Sequence, residues 1–210
     1  MKRTQSGFTL IEIAIVLVII GLLLGGVLKG QELINQAKIK NVAKDFEAIS
    51  VGVLGYQDRY KKLPGDDDGA ARWSGVAVPA TGAGNGTISG AFNSTTATDE
   101  TALFWQHLRL AGFIAGDTST TAEATKQPPN AVGGILGIQS GVFGLAGHAV
   151  CSTQLPGKIA GAVDSQFDDG KPESGSVRGF TSTTVTAANN PAITVYTDDT
   201  ATLYTVCRTL

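Results

Sequence analysis

One carboxylate, Glu12, lies inside the longest apolar stretch of the chain. Residues 13–28 carry no charge, and counted from Phe8 the stretch spans 21 residues. At about 1.5 Å per residue, such a helix is about 30 Å long, which is the thickness of the hydrocarbon core of a bilayer. An ionised group inside a membrane segment costs about 2.5 kcal/mol or more and usually marks a place where a partner neutralises it. Glu12 therefore predicts a pairing site within a membrane-spanning helix.

The two cysteines, Cys151 and Cys207, form the one pair available for a disulfide. A chain that crosses a membrane places its C-terminal part in an oxidising compartment, where this link would stabilise the fold by about 4 kcal/mol on the chain-entropy model. The alternative is two buried free thiols. The spacing lacks the paired cysteines and histidines of a structural zinc site. We therefore predict a disulfide between Cys151 and Cys207.

Two acidic clusters have the carboxylate oxygens that calcium prefers. The first is Asp66 to Asp68, and the second consists of Asp164, Asp168 and Asp169, followed by Gly170. Neither cluster has the EF-hand pattern, and solvated turn aspartates are the alternative because Asp and Gly both favour turns. Calcium at Asp164, Asp168 and Asp169 is the candidate that the sequence offers, and no other cofactor is implied.

The remaining polar residues indicate neither an enzyme nor a nucleic-acid-binding protein. His148 lies close to Cys151 in the sequence, but no orienting acid accompanies this pair and the cysteine has a disulfide partner. The glycine-rich residues 82–86 lack the Lys-Ser/Thr of a phosphate-binding loop. The formal net charge is −2, so charge predicts no nucleic acid as a partner. We expect a non-enzymatic protein.

Two simpler explanations exist for the N-terminal apolar segment. Lys2 and Arg3 could begin a secretory signal peptide, but the run is long for such a signal and no small-residue cleavage site follows it. The helical pattern also continues past Lys29. A plain signal anchor would account for the length and the basic end, but it would leave Glu12 without a role.

Residues 2–12 read Lys-Arg-Thr-Gln-Ser-Gly-Phe-Thr-Leu-Ile-Glu. This string closely resembles the N-terminal signal of type IV pilins and type II secretion pseudopilins. The resemblance implies that a prepilin peptidase cuts after Gly7 and methylates the new N-terminal residue, Phe8. It also implies that Glu12 pairs with the Phe8 amine of a neighbouring subunit during assembly, whereas pairing within one chain is the alternative. Many members of the family have a proline where this chain has Lys29.

The apolar pattern beyond the membrane segment predicts that the helix continues. Apolar residues recur at alternating steps of three and four as far as Tyr60, which defines one face of an amphipathic helix. A coiled coil is the alternative, but the stripe covers about three heptads before Pro64 ends the pattern. The stripe is therefore expected to pack on the head of the same chain.

The rest of the chain predicts a loop-rich head that contains strands. Gly, Ser, Thr and Ala are abundant there. One helix is predicted from a cap at Thr98 or Asp99 to a stop at Gly112. Short β-prone runs separated by turn residues predict an antiparallel sheet. These runs cover residues 132–138, 142–150, 175–181, 193–197 and 202–207.

Together these elements predict an α+β, pilin-like fold in which a long N-terminal hydrophobic α-helix packs on a C-terminal antiparallel β-sheet head. With the resemblance, residues 1–7 would form the prepilin leader peptide, residues 8–60 the long helix and residues 61–210 the extracytoplasmic globular head. Within the helix, the transmembrane part and filament core covers about 8–28, and the amphipathic half covers about 31–60.

The resemblance implies a structural subunit, major or minor, of a type IV pilus or type II secretion pseudopilus. DNA-uptake systems use related subunits. Its partners would be the prepilin peptidase, other pilin or pseudopilin subunits and the inner-membrane assembly platform. It would start as a single-pass protein of the bacterial inner membrane with an extracytoplasmic head, and end in an extracellular or periplasmic filament. The alternative is a membrane-anchored binding module or adhesin that does not polymerise.

Overall fold

The structure, a computed structural model, describes residues 7, 9–79, 82–181, 193–199 and 201–210. Contacts divide the chain into two compact units, Met1–Lys38 and Ile39–Leu210. Within the described residues, the chain forms helices α1 (Leu10–Tyr60), α2 (Glu100–Leu110) and α3 (Gly157–Phe167) and strands β1 (Leu136–Ser140), β2 (His148–Pro156), β3 (Val177–Phe180) and β4 (Leu203–Thr209). Short 3-10 turns cover Ala70–Arg72, Ala122–Thr125 and Val142–Gly144.

The N-terminal part of α1 exposes its apolar side chains. Leu10 is 93% exposed, and the large aliphatic residues that follow it up to Leu28 are also exposed. Among the described residues, α1 is the one helix that is long and apolar enough to cross a membrane by length and composition. These properties are consistent with membrane anchoring.

The C-terminal part of α1 buries one face in the head. Val42, Phe46, Ile49, Val53 and Tyr56 are at most 4% exposed and share a core with residues of the sheet. Their steps of four, three, four and three keep them on one side of a helix. Each fully buried side chain of this kind contributes about 1.5–3 kcal/mol, so the predicted stripe is the surface that fixes this helix to the head.

The sheet of the head is antiparallel, with the order β1-β2-β4-β3 among the described strands. Side chains on its two faces belong to two clusters. Val150, Leu155 and Val206 face the core that α1 completes, whereas Cys151 and Cys207 belong to a second cluster with aromatic residues of the loops. The predicted α+β layout of a helix on an antiparallel sheet is thus confirmed.

Strand positions were predicted unevenly. The runs 175–181 and 202–207 contain or overlap β3 and β4, and the run 132–138 overlaps the start of β1. The run 142–150 was wrong at its start, because Val142–Gly144 forms a 3-10 turn between β1 and β2. The run 193–197 was also wrong, because its residues form bends and extended chain without strand pairing.

Helix α2 matches its prediction, whereas α3 was missed. Asp99 precedes α2 as its N-cap residue, and Gly112 follows it with a φ of +78°. Only a residue without a Cβ adopts that conformation freely, so the glycine ends the helix. Helix α3 starts directly after Pro156, at the end of β2, and buries Ile159 and Val163.

Candidate functional site

The start of α1 holds Glu12 in a capping box. The Thr9 amide and the Thr9 Oγ1 both donate to Glu12 Oε2, at 2.8 and 2.7 Å, and the Glu12 amide donates to Thr9 Oγ1 at 3.3 Å. These reciprocal bonds satisfy backbone donors that a helix start leaves free. The carboxylate also faces the positive end of the helix dipole. Glu12 therefore has an intrachain partner, Thr9, that the sequence analysis did not name.

The pattern that identifies this capping box is present in the sequence. Thr9 stands three residues before Glu12, which is the spacing of Ser/Thr-x-x-Glu at a helix start. Phe8, the predicted source of the terminal amine, lies outside the described residues, as do Lys2 and Arg3.

Gly7, the residue before the predicted cleavage point, lies in an open environment. It is exposed and precedes α1, and a Cβ built on it would have no atom of the described residues within 4 Å. No described side chain therefore crowds Gly7. This geometry is compatible with cleavage by a peptidase.

A buried network joins the end of α1 to the loop that follows it. Tyr56 donates its hydroxyl to Asp67 at 2.5 Å, and Arg72 pairs with both oxygens of Asp67 at 2.6 and 3.2 Å. Burial raises the pKa of Tyr56, and the hydrogen bond to Asp67 raises it further. Burial would raise the pKa of Asp67, but the bonds from Arg72, Tyr56 and Gly69 outweigh that effect and lower it. Asp67 is a structural anchor.

His107 completes this network from α2. It is fully buried, stacks on Tyr56 with ring centroids 6.3 Å apart and accepts a hydrogen bond on Nδ1 from the Gly65 amide at 3.0 Å. The proton of the neutral ring is then on Nε2, which is buried and has no hydrogen-bond partner among the described residues. Burial lowers the pKa of His107 to about 4, so the ring is neutral at physiological pH.

The other two members of the first acidic cluster also bond within the chain. Asp66, 2% exposed, accepts hydrogen bonds from the amides of Gly84, Asn85 and Gly86. Asp68 forms an ion pair with Lys62 at 2.8 Å. The three consecutive aspartates therefore point to three different partners and do not form one cation site.

The candidate calcium ligands Asp164, Asp168 and Asp169 are likewise engaged in separate hydrogen bonds. Asp164 accepts from the Gly170 amide at 3.0 Å and from the Tyr196 hydroxyl at 2.6 Å. Asp168 accepts from two amides at the start of β3, and Asp169 accepts from the amide and hydroxyl of neighbouring loop residues. Within the part of the chain that the structure describes, no group of three or more His, Cys, Asp or Glu is arranged to hold a metal ion. These carboxylates do not converge on one point. Calcium binding stays a prediction from the sequence.

Cys151 and Cys207 are joined in a disulfide, with the sulfurs 2.03 Å apart. They face each other across the β2–β4 ladder and are fully buried. The bond links β2 and β4, the two central strands of the described sheet. It belongs to the framework of the head, far in sequence from Gly7 and Glu12.

Comparison with known proteins gives one finding, and it concerns the N-terminal segment. Residues 2–28 match the prokaryotic N-terminal methylation motif, which is the signal of type IV pilins and pseudopilins. This motif supports a substrate of prepilin peptidase. No curated protein and no solved structure matches the chain.

Proposed function

We propose that this chain is a non-enzymatic structural subunit of a type IV pilus or type II secretion pseudopilus, assembled through its N-terminal helix after cleavage behind Gly7. The observation that carries the proposal is Glu12 at the start of an exposed apolar helix, inside a match to the methylation motif. A buried carboxylate in lipid is costly, and a cation on an adjacent subunit would remove most of that cost. Cleavage creates that cation at Phe8.

The exposed surface of α1 favours a polymerising subunit over a simple tether. Leu33 and Ile34 lie beyond Lys29 and Glu32, outside the uncharged span, and are 54% and 57% exposed. Val51 and Leu54 lie in the second compact unit, Ile39–Leu210, and are 67% and 65% exposed. Lipid cannot cover the second pair if the head is extracytoplasmic, so a contact with another subunit would be the way to remove it from water.

A small pocket lies beside the second pair. It has a volume of about 220 Å³ and is lined by Leu54, Leu63, His148 and Leu210 together with polar residues of α1. Its mostly apolar lining suits an aliphatic or aromatic side chain of another subunit. In the proposed filament, the N-terminal halves of the helices form the core and the heads form the outer surface.

The decisive experiment separates processing from assembly. Cells that express the Glu12→Ala chain are expected to insert and cleave it normally while the sheared filament fraction loses it. Glu32→Ala removes a carboxylate from the same helix outside the apolar span and should assemble as the parent does. Equal incorporation of the Glu12→Ala and Glu32→Ala chains would refute the role of Glu12.

Cleavage is tested separately. Replacing Gly7 by a bulky residue should leave the precursor uncut, which mass spectrometry detects as a chain that retains the leader. Filaments purified from the parent strain test the alternative of a membrane-anchored binding module or adhesin. A chain that is cleaved and membrane-bound but missing from these filaments would establish the tether.

A further inference from the structure

The dipeptide Asn85-Gly86 occupies an exposed loop with unusual chemistry around it. Asn85 is exposed, and Gly86 has a φ of +83°. An Asn-Gly peptide can modify itself, because the glycine nitrogen can attack the side-chain amide carbon with little steric hindrance. The nitrogen loses its proton, a new N–Cγ bond closes a five-membered succinimide and ammonia leaves. Water then opens the ring to aspartate or isoaspartate.

Thr87 prepares the side-chain amide for this attack. Its backbone N–H donates to Asn85 Oδ1 at 2.7 Å, and its hydroxyl donates to the same oxygen at 2.5 Å. Negative charge develops on Oδ1 when the tetrahedral intermediate forms. Two donors on that oxygen stabilise the charge, as the donors of an oxyanion hole do.

Asp66 acts in the opposite direction by holding the nucleophile. The Gly86 amide donates to Asp66 Oδ2 at 2.6 Å, while the Gly84 and Asn85 amides donate to Oδ1 at 2.5 and 3.1 Å. In the succinimide, Cγ takes the position in the plane of the peptide that the amide hydrogen now occupies. As long as this hydrogen points at Asp66, Cγ cannot reach that position.

The clamp, which consists of Asp66 and the three amides that donate to it, is rigid because both sequence neighbours of Asp66 are held by hydrogen bonds. Its neighbour Gly65 donates to buried His107, and its other neighbour Asp67 is bonded to Tyr56 and Arg72. Asp66 itself is 2% exposed. A carboxylate that accepts several amide bonds in a buried place is a strong acceptor, so the loop opens rarely.

We propose that Asn85-Gly86 is a self-modification site that Asp66 holds unreactive, and that the side-chain amide is lost once this clamp opens. The reaction consumes one water and releases one ammonia, and it leaves a carboxylate at position 85. Gly84 places this loop beside Asp68, since a Cβ on Gly84 would lie 3.1 Å from Asp68 Oδ2. The negative charge gained at position 85 therefore arises in a loop that already lies near an acidic side chain.

The test uses the full-length protein in detergent at neutral pH, with peptide mass spectrometry over time to follow conversion of Asn85. Asp66→Asn is expected to convert about tenfold faster than the parent, because it loses a charge-assisted bond to the Gly86 amide. Asp68→Asn is the matched control, with the same chemical change two residues away, and should convert at the parental rate. Adding Thr87→Val to Asp66→Asn should slow the reaction.

A second measurement needs no variant. Asn85 of the parent should convert faster in urea than in the folded protein, relative to Asn93 in the same sample. An Asp66→Asn protein that keeps its native spectrum but converts no faster than the parent would overturn the proposal. So would conversion in the folded parent that is as fast as in urea.

Discussion

His107 makes the stability of the head dependent on pH. Its pKa falls from the ordinary value of 6.5 to about 4 in the fold because the ring is buried. Between these values the unfolded chain binds the proton and the folded chain does not. The contribution of His107 to the free energy of unfolding is therefore fully present above pH 6.5, and it is lost as the pH falls toward 4.

The size of this loss follows from the pKa difference. At about 1.4 kcal/mol per pH unit, lowering the pKa from 6.5 to about 4 corresponds to about 3–4 kcal/mol. Asp67 and Arg72 face the same region, but the pKa of Asp67 is lowered from its ordinary 3.8 and that of Arg72 is raised from 12.5. In the folded protein both therefore keep one charge state throughout this pH range.

Urea unfolding between pH 4 and 7.5, followed by tryptophan fluorescence, measures the effect. Trp73 lies 6.0 Å from the His107 ring, so the signal reports on this region. His107→Gln keeps an acceptor for Gly65 and should remove most of the pH dependence. His148→Gln is the control for the loss of a histidine elsewhere in the head. Burial also lowers the pKa of His148, although this side chain is only half-buried. If His107→Gln lost as much free energy as the parent between pH 6.5 and 4, the reasoning would be wrong.

Three further outcomes are expected. A Cβ at Gly55 would lie 2.5 Å from Phe113, whereas the nearest atom to a Cβ at Gly52 would be 3.6 Å away. In urea unfolding, Gly55→Ala should therefore destabilise the head by about 1 kcal/mol. Gly52→Ala should be neutral or stabilising in the same assay. Replacing both Cys151 and Cys207 by serine should cost about 4 kcal/mol in the same assay, and an unchanged midpoint would contradict the role of the disulfide. Calcium at Asp164, Asp168 and Asp169 predicts a midpoint of thermal unfolding that EDTA lowers and calcium restores, whereas a midpoint that EDTA leaves unchanged would contradict this site.

Periodicity in the sequence was sufficient to predict α1 and its buried face. The stripe from Val42 to Tyr56 keeps helical spacing over several turns, and nothing else in the chain competes with it. The cap at Asp99 and the stop at Gly112 likewise bounded α2 from local chemistry alone. Long elements with clear ends are the ones that a sequence specifies locally.

Helix α3 was missed because its local signals conflict with helix. Gly157 and Gly161 both have low helix propensity, and Pro156 precedes them. Tertiary packing explains Gly157, because a Cβ there would collide with the Thr197 carbonyl. A Cβ at Gly161 would lie 3.4 Å from Tyr196, which is an ordinary contact. Residues 193–197 have a β-prone composition, but the structure assigns no strand to them.

The acidic clusters show why site prediction is harder than fold prediction. Composition placed three aspartates near one another in each cluster, but it could not show where each carboxylate points. In the fold, Asp66 binds a distant loop, Asp67 binds Arg72 and Tyr56, and Asp164 binds Tyr196. Each of these partners except Arg72 is more than ten residues away in the sequence.

The geometry of Glu12 leads to a last prediction, which separates helix capping from charge pairing. Both bonds from Thr9 end on Oε2, and among the described residues no donor reaches Oε1. The carboxylate can therefore keep its cap and still accept a cation from an adjacent subunit. Thr9→Ala should weaken the helix start by about 1 kcal/mol but leave filament assembly largely intact. Glu12→Gln should abolish filament assembly. If the two variants impaired filament formation equally while being cleaved normally, capping rather than charge would be the function of Glu12.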